Sequence, residues 1–185
     1  VTALSRATAK RIVGMGLPGY GEDEVGFMCE TVEIVQPDRI FDWGTNVGAS
    51  ARIFYEACIV HCIVETIDLP AVLEQLDRDH AGGRTGSHLT PEIRTHRGDG
   101  VTEALRLCAA WEPKRPLFFL DGNHLRENVF REIWSIHKFC PRGVLLIHDT
   151  NQQPGDAVRN WQHRYGGYRL DVLNSQAGMV RMIPL

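Results

Sequence analysis

The chain has 185 residues, enough for a single domain with a real core and too few for two comfortable ones. With 43% hydrophobic and 23% charged residues and no apolar run near the roughly 20 residues of a membrane span, it reads as soluble, without a membrane partner. A formal net charge of −3 leaves no footprint for a polyanion, although "RTGSHLTPEIRTHR" is locally basic, so nucleic acid is not an expected partner. Five cysteines, Cys29, Cys58, Cys62, Cys108 and Cys140, form an odd set, four of them in apolar segments where a small thiol packs well. Thiols of that kind suit a reducing cytoplasm. "CIVHC" brackets His61 but lacks the second ligand pair of a structural zinc site, and it is read as core packing.

From Ala3 to Met15 and from Asp23 to Val35, apolar residues recur at three- and four-residue steps, broken by "GLPGYGED". That spacing predicts two helices. From Arg39 the pattern becomes short apolar bursts separated by amphipathic segments: "RIFDW", "HCIVETID", "EIRTHRGD", "PLFFLD" and "GVLLIHD". Helices are expected near Ala49 to Ala57, Ala71 to Asp77, Val101 to Ala110 and Leu125 to Phe139. This alternation predicts an α/β, Rossmann-like, doubly wound sheet, with ligands outside the carboxyl ends of its parallel strands. After a helix near Ala157 to His163, "YRLDVLN" and "MVRMIPL" are joined only by "SQAG". No crossover helix fits there, so the last two strands must be antiparallel neighbours. Seven strands are expected, in one domain spanning residues 1–185.

Each of the five parallel strands delivers an acid at or near its carboxyl end: Asp42, Asp68, Asp99, Asp121 and Asp149. One such Asp is ordinarily a turn-former or helix cap. Five along one sheet edge repel one another unless cations or hydrogen-bond donors offset the charge. The first of these segments, "DWGTNVGAS", has glycines at 44 and 48 that let backbone approach a ligand before a helix starts. It lacks the Lys of a phosphate-binding P-loop and the full dinucleotide spacing. Asp68 closes the second strand about where a ribose-binding carboxylate belongs, and Glu65 sits too early in that strand.

In these segments the chain resembles the class I S-adenosylmethionine-dependent methyltransferases, specifically the small-molecule O-methyltransferases around catechol O-methyltransferase and the cephalosporin-hydroxylase-like and macrocin-type enzymes. The resemblance runs from about Val25 to the end and rests on "FDWGTNVGAS", "ETIDL", "RGDG", "FFLDGNH" and "GVLLIHDTN". It implies that Asp42, Gly44, Thr45, Gly48 and Ser50 line the methionine side of the cofactor, that Asp68 holds the ribose, and that Gly98 and Asp99 lie near the adenine. It also implies that Asp121 serves both cofactor and reaction, with His124 three residues on as the general base. Imidazole suits that role because its ordinary pKa of about 6.5 lies near working pH. Magnesium or another divalent metal would fall to Asp121, Asp149 and His148.

Several residues depart from the family pattern. Asn46 stands where many methyltransferases have a middle Gly, Asn123 where related sequences often carry an acid, and His148 and Thr150 flank Asp149 where the relatives place an acid before it or an Asn after it. Magnesium prefers oxygen ligands, so His148 favours a metal more tolerant of imidazole, or none. Trp43 is read as buried packing rather than a shelf for the cofactor. The leading expectation is methyl transfer to a hydroxyl of a small molecule such as a sugar, a phenol or a secondary metabolite. The alternatives are a nicotinamide-dependent oxidoreductase, which shares a glycine turn and a ribose carboxylate, and an inactive cofactor-binding module. The N-terminal helices, about residues 1–35, with their "GMGLPGYGEDE" link are read as a lid or an oligomer contact.

Overall fold

The computed structural model describes residues 3–58, 62–69 and 86–185. His61 and the helix expected near Ala71 to Asp77 lie outside the described residues. Among the described residues the order is α1 (Ala3–Val13), α2 (Glu22–Val35), β1 (Arg39–Trp43), α3 (Ala49–Ala57), β2 (Ile63–Asp68) and β3 (Arg94–Arg97). Then follow α4 (Gly100–Trp111), β4 (Pro116–Leu120), α5 (Arg126–Phe139), β5 (Val144–His148), α6 (Gln153–Arg164), β6 (Tyr168–Leu173) and β7 (Met179–Pro184).

The strands form one sheet in the order β3-β2-β1-β4-β5-β7-β6. The first five are parallel; β7 inserts antiparallel between β5 and β6, with His148 opposite Met179. Strand order reverses between β1 and β4, where neighbouring connections leave toward opposite faces and open a crevice at the carboxyl edge.

Two-residue periodicity divides the core. From β4, Leu117 and Phe119 pack toward α1, α2 and α3, while Phe118 and Leu120 pack toward α4, α5 and α6. In β5, Leu146 joins the first layer and Leu145 and Ile147 the second. Both faces are covered, which is why these strands read as unbroken apolar runs rather than alternating ones. Aromatic contacts lock the central strands: Phe118 stacks on Phe41 at 5.1 Å between ring centres, and Phe119 meets Phe54 edge-on at 5.1 Å. Truncating either Phe to Ala would cost about 3–5 kcal/mol.

The opposite edge of the sheet is closed by charge. Arg39 in β1 pairs with the buried Glu65 of β2, which also takes His96 Nε2 at 2.6 Å and Arg94 at 3.5 Å. Glu65 is therefore a structural acid away from the crevice, as its early position in the strand implied.

Candidate active site

At the carboxyl edge lies a cavity of about 770 Å³. The loops after β1, β2, β3, β4 and β5 all contribute to its wall, and Pro18, Gly19 and Tyr20 of the α1–α2 link close one side. The β1 loop reaches this position because Gly44 adopts φ +105°, a conformation that disfavours any residue with a Cβ. A Cβ there would also stand 2.6 Å from the carbonyl oxygen of Asp121, so β1 and β4 could not end side by side. Gly48, at φ +84°, begins α3 and presses against Leu89, where a side chain would come within 2.7 Å. Thr45 and Ser50 are buried at the cavity floor.

The five strand-end acids have different surroundings. Asp42 lies one residue inside β1, fully buried beneath the cavity rather than in its wall. Its Oδ2 accepts from Thr66 Oγ1 at 2.8 Å, and Thr66 in turn meets Thr45 at 2.8 Å. Asp42 Oδ1 has no well-formed hydrogen bond among the described residues. Burial pushes this carboxyl up to about 7, against the partial relief given by Ser50 and Thr66. The sequence reading set Asp42 beside the cofactor; in the structure it lies beneath the β1 loop, bonded to Thr66, which in turn meets Thr45.

Asp68 does line the cavity. Its Oδ1 accepts from Leu69 N at 2.8 Å and its Oδ2 from Asn46 N at 3.3 Å, so it ties the first two loops together. A carboxylate oxygen offers two lone pairs, which leaves acceptor capacity for a ligand. Gly98 is held by Asp68 O at 2.9 Å. Asp99 caps α4 through Thr102 N at 3.1 Å and Thr102 Oγ1 at 2.6 Å, and it pairs with Arg131 of α5 at 3.4 Å. Asp99 thus stands in the cavity wall and also has an ordinary capping role.

Asp121, His124, His148 and Asp149 converge. Asp121 accepts from Tyr20 Oη at 2.5 Å and lies 2.9 Å from His148 Nδ1 and 3.6 Å from His124 Nε2. Burial pushes its carboxyl up, but His124, His148 and Tyr20 outweigh burial and hold it at about 2. His124 bridges the two acids, with Nδ1 3.0 Å from Asp149 Oδ2. The bond to Asp121, against partial burial and with the charge of Asp149, raises the imidazole pKa above its ordinary value. His148 is buried, which lowers its pKa, yet Asp121, Asp149 and Glu24 raise it more. Asp149 takes φ +54°, a left-handed backbone at the exit of β5 that turns its carboxylate back toward His124.

Two contributors escaped the sequence reading. Tyr20 comes from the glycine-rich link, stacks obliquely 5.2 Å from the His148 ring, and has its phenol pKa held well above the ordinary value by burial and by Asp121. Glu24, in the first turn of α2, is buried; its Oε2 accepts from Gly21 N at 2.9 Å and its Oε1 from Ser175 Oγ at 2.6 Å. Its Oε1 also lies 3.7 Å from His148 Nε2. The only signals for them were an aromatic residue within a glycine-rich break and an acid at a helix start. Trp43 is buried against Phe118 as expected, and its indole also floors the cavity so closely that a Cβ at Gly100 would touch it at 2.6 Å.

Ligand atoms of Asp121, His148 and Asp149 all lie within 4.8 Å of one another, the spacing of a metal-binding group. Two carboxylates and an imidazole fit manganese, iron or zinc better than magnesium. To bind a cation, His148 would have to be neutral and release Asp121.

No family model and no curated protein matches the chain. Solved structures do. Over all of this chain and 92% of its own length, an O-methyltransferase from Bacillus cereus in complex with SAH superposes with a TM-score of 0.63 at 12% identity. An SAH-bound methyltransferase from Podospora anserina gives 0.62 at 14% identity, covering 100% of this chain and 89% of that one. The O-methyltransferase TomG of Streptomyces achromogenes, involved in tomaymycin synthesis and in complex with SAM, gives 0.58 at 14%, covering 100% and 90%. The strand order, the terminal antiparallel pair and the superpositions agree: this chain has the fold on which those methyltransferases are built.

Proposed function

We propose that the protein is an S-adenosylmethionine-dependent O-methyltransferase acting on a hydroxyl of a small molecule, with His124 as general base. The observation that carries this reading is the pairing, in one cavity, of a glycine-bounded β1 loop beside Asp68 with an imidazole held between two carboxylates. The residues fit the cofactor: backbone at Gly44 and Gly48 is bare enough for close approach, and Asp68 has lone pairs for two ribose hydroxyls. Bound S-adenosylmethionine would supply an electrophilic methyl group on a sulfonium, and its transfer leaves S-adenosylhomocysteine.

In its neutral form, with Nδ1–H turned to Asp149, His124 can take the acceptor proton at Nε2 as the oxygen attacks, because it lines the cavity and is partly open to it; its raised pKa means that transfer should increase as pH rises through that value. Asp121 and Asp149 orient the ring and stabilise the imidazolium that forms. Tyr20 braces Asp121 from the N-terminal link, which supports reading that link as a lid over the acceptor. A divalent cation, where bound, would be held by Asp121, Asp149 and His148 and would lower the pKa of an acceptor hydroxyl beside it. The free thiols favour a reducing compartment such as the cytoplasm. Among the described residues no helix is long and apolar enough to cross a membrane.

Calorimetry with S-adenosylmethionine and S-adenosylhomocysteine, with and without magnesium or manganese and with NADH as control, tests cofactor class and metal dependence together. Binding of NADH alone would overturn the reading. With a panel of phenols, sugars and other hydroxyl acceptors, His124→Ala and Asp121→Asn should lose transfer by 100-fold or more, the scale of a lost general base, while partly retaining S-adenosylhomocysteine binding. Transfer at the parental rate in both would remove their assigned roles.

A further inference from the structure

A second cavity, of about 760 Å³, lies on the α4–α5 side of the sheet. It is lined by one side of α4 from Thr102 to Glu112, by the end of α5 and by the turn after it, and it contains two cysteines, Cys108 and Cys140. Their Sγ atoms are 3.8 Å apart although the residues are 32 positions apart in sequence. Neither thiol has a part in the candidate active site. Cys108 is in the last turn of α4; Cys140 caps α5, its N–H bonded to Ile136 O at 2.7 Å and its carbonyl accepting from Gly143 N at 2.8 Å. The "CPRG" turn therefore holds Cys140 firmly against α4, with Arg142 in the same cavity wall.

We propose that Cys108 and Cys140 form a reversible disulfide when the protein meets a small-molecule disulfide oxidant of the glutathione type. A bonded pair needs S–S of about 2.05 Å, so side-chain rotation has to close the present gap, and the second cavity gives the oxidant access to both sulfurs. Cys108 is buried in α4, whereas Cys140 at the end of α5 is only partly buried, so Cys140 is the sulfur the oxidant reaches first and the attacking thiolate. It displaces one glutathione thiolate from the oxidant and becomes a mixed disulfide. Cys108, deprotonated by the released thiolate, then attacks the Cys140 sulfur and expels the second glutathione. Two thiol protons and two electrons leave the protein, and one oxidised glutathione becomes two reduced ones.

The bond would have a reach beyond its own cavity. The opposite ends of these helices bear Gly100 and, in α5, Asn128, Arg131 and Glu132, all in the wall of the main cavity, where Arg131 already pairs with Asp99. Cross-linking the far ends fixes the spacing of that wall. A bridge closing about 30 residues should also raise the melting temperature by roughly 5 °C or more.

The test is peptide mapping by mass spectrometry after incubation of the intact protein with oxidised glutathione, then with reductant. The expected result is loss of two hydrogen atoms, a Cys108–Cys140 linked peptide, and reversal by reductant, with the thermal shift appearing and disappearing in step. Cys140→Ser should prevent the mass loss, while Cys108→Ser should stop at the mixed disulfide on Cys140. A stable glutathione adduct in the parent, or a link between Cys58 and Cys62 in place of this one, would overturn the proposal. Mapping the parent protein gives the answer even if a variant folds poorly, and it does so whether or not the protein transfers methyl groups.

Discussion

Asp42 and Asp121 end neighbouring parallel strands, β1 and β4, the first fully buried and the second partly so, and their carboxyls sit at about 7 and about 2. The same residue type is thus driven in opposite directions a strand apart. Asp42 receives one well-formed hydroxyl bond, from Thr66, and no cation, so desolvation dominates. Asp121 suffers desolvation as well but is met by a phenol and two imidazoles. Deeper burial with few donors leaves Asp42 raised, whereas the donors around the partly buried Asp121 outweigh its desolvation and keep it charged at the reaction edge. The molecule therefore keeps a partly protonated carboxyl beneath the β1 loop and an anion at the proposed acceptor site.

The largest effect should come from removing that anion. Asp121→Asn removes the charge and replaces one of the two acceptor oxygens shared by Tyr20, His124 and His148 with a donor, and should lower stability by about 3 kcal/mol, measured by urea denaturation at pH 7. An unchanged midpoint would show that the three donors contribute nothing to folding.

Glu132 of α5 extends the comparison to a third acid. It is 5% exposed and lines the cavity beside Trp43, and burial pushes it up to about 7. A folded-state pKa above the unfolded value means a contribution to stability fully present below about pH 4.5 and lost as pH rises through about 7. Glu132→Gln should then be more stable than the parent by roughly 2–3 kcal/mol at pH 8, with the difference vanishing near pH 4. Equal melting curves at pH 8 would place Glu132 with the well-satisfied acids instead.

Two conservative changes probe the donors one at a time. Tyr20→Phe keeps the ring contacts with Phe119 and His148 but deletes the 2.5 Å bond to Asp121, and should cost about 1.5 kcal/mol, a typical value for a hydrogen bond to a charged group. Thr66→Val removes the one well-formed donor to Asp42 and should cost about 1 kcal/mol. Because Asp42, with its carboxyl at about 7, is only partly ionised near neutrality, the second loss should be the smaller. The reverse order in denaturant titrations would contradict the assignment of the charges.

The helices and strands were legible because each has its own period: "PLFFL" and "GVLLIH" could only be strands covered on both faces, and "SQAG" forced the terminal hairpin. The convergence of Asp121, Asp149 and His148 followed from parallel strands ending at one edge, and their donor atoms do gather within 4.8 Å. Trp43 was correctly read as packing, but its second face as cavity floor depended on Gly100 and Gly122 lying against it. The strand "RIFDW" was read with its observed bounds, but which face Asp42 takes depended on the pleat, since one residue separates the cavity wall from the core beneath.

Local pattern thus determined the elements, their parallel order and the acids at the strand ends, because hydrophobic period and turn chemistry act over a few residues. What each acid became was a tertiary matter. Tyr20 and Glu24 reach Asp121 and His148 across roughly a hundred residues or more of chain, and Cys108 meets Cys140 across 32. No local pattern encodes such meetings; they exist only once α2 and α5 are docked on opposite faces of the sheet, and they set the proton affinities on which the proposed chemistry depends.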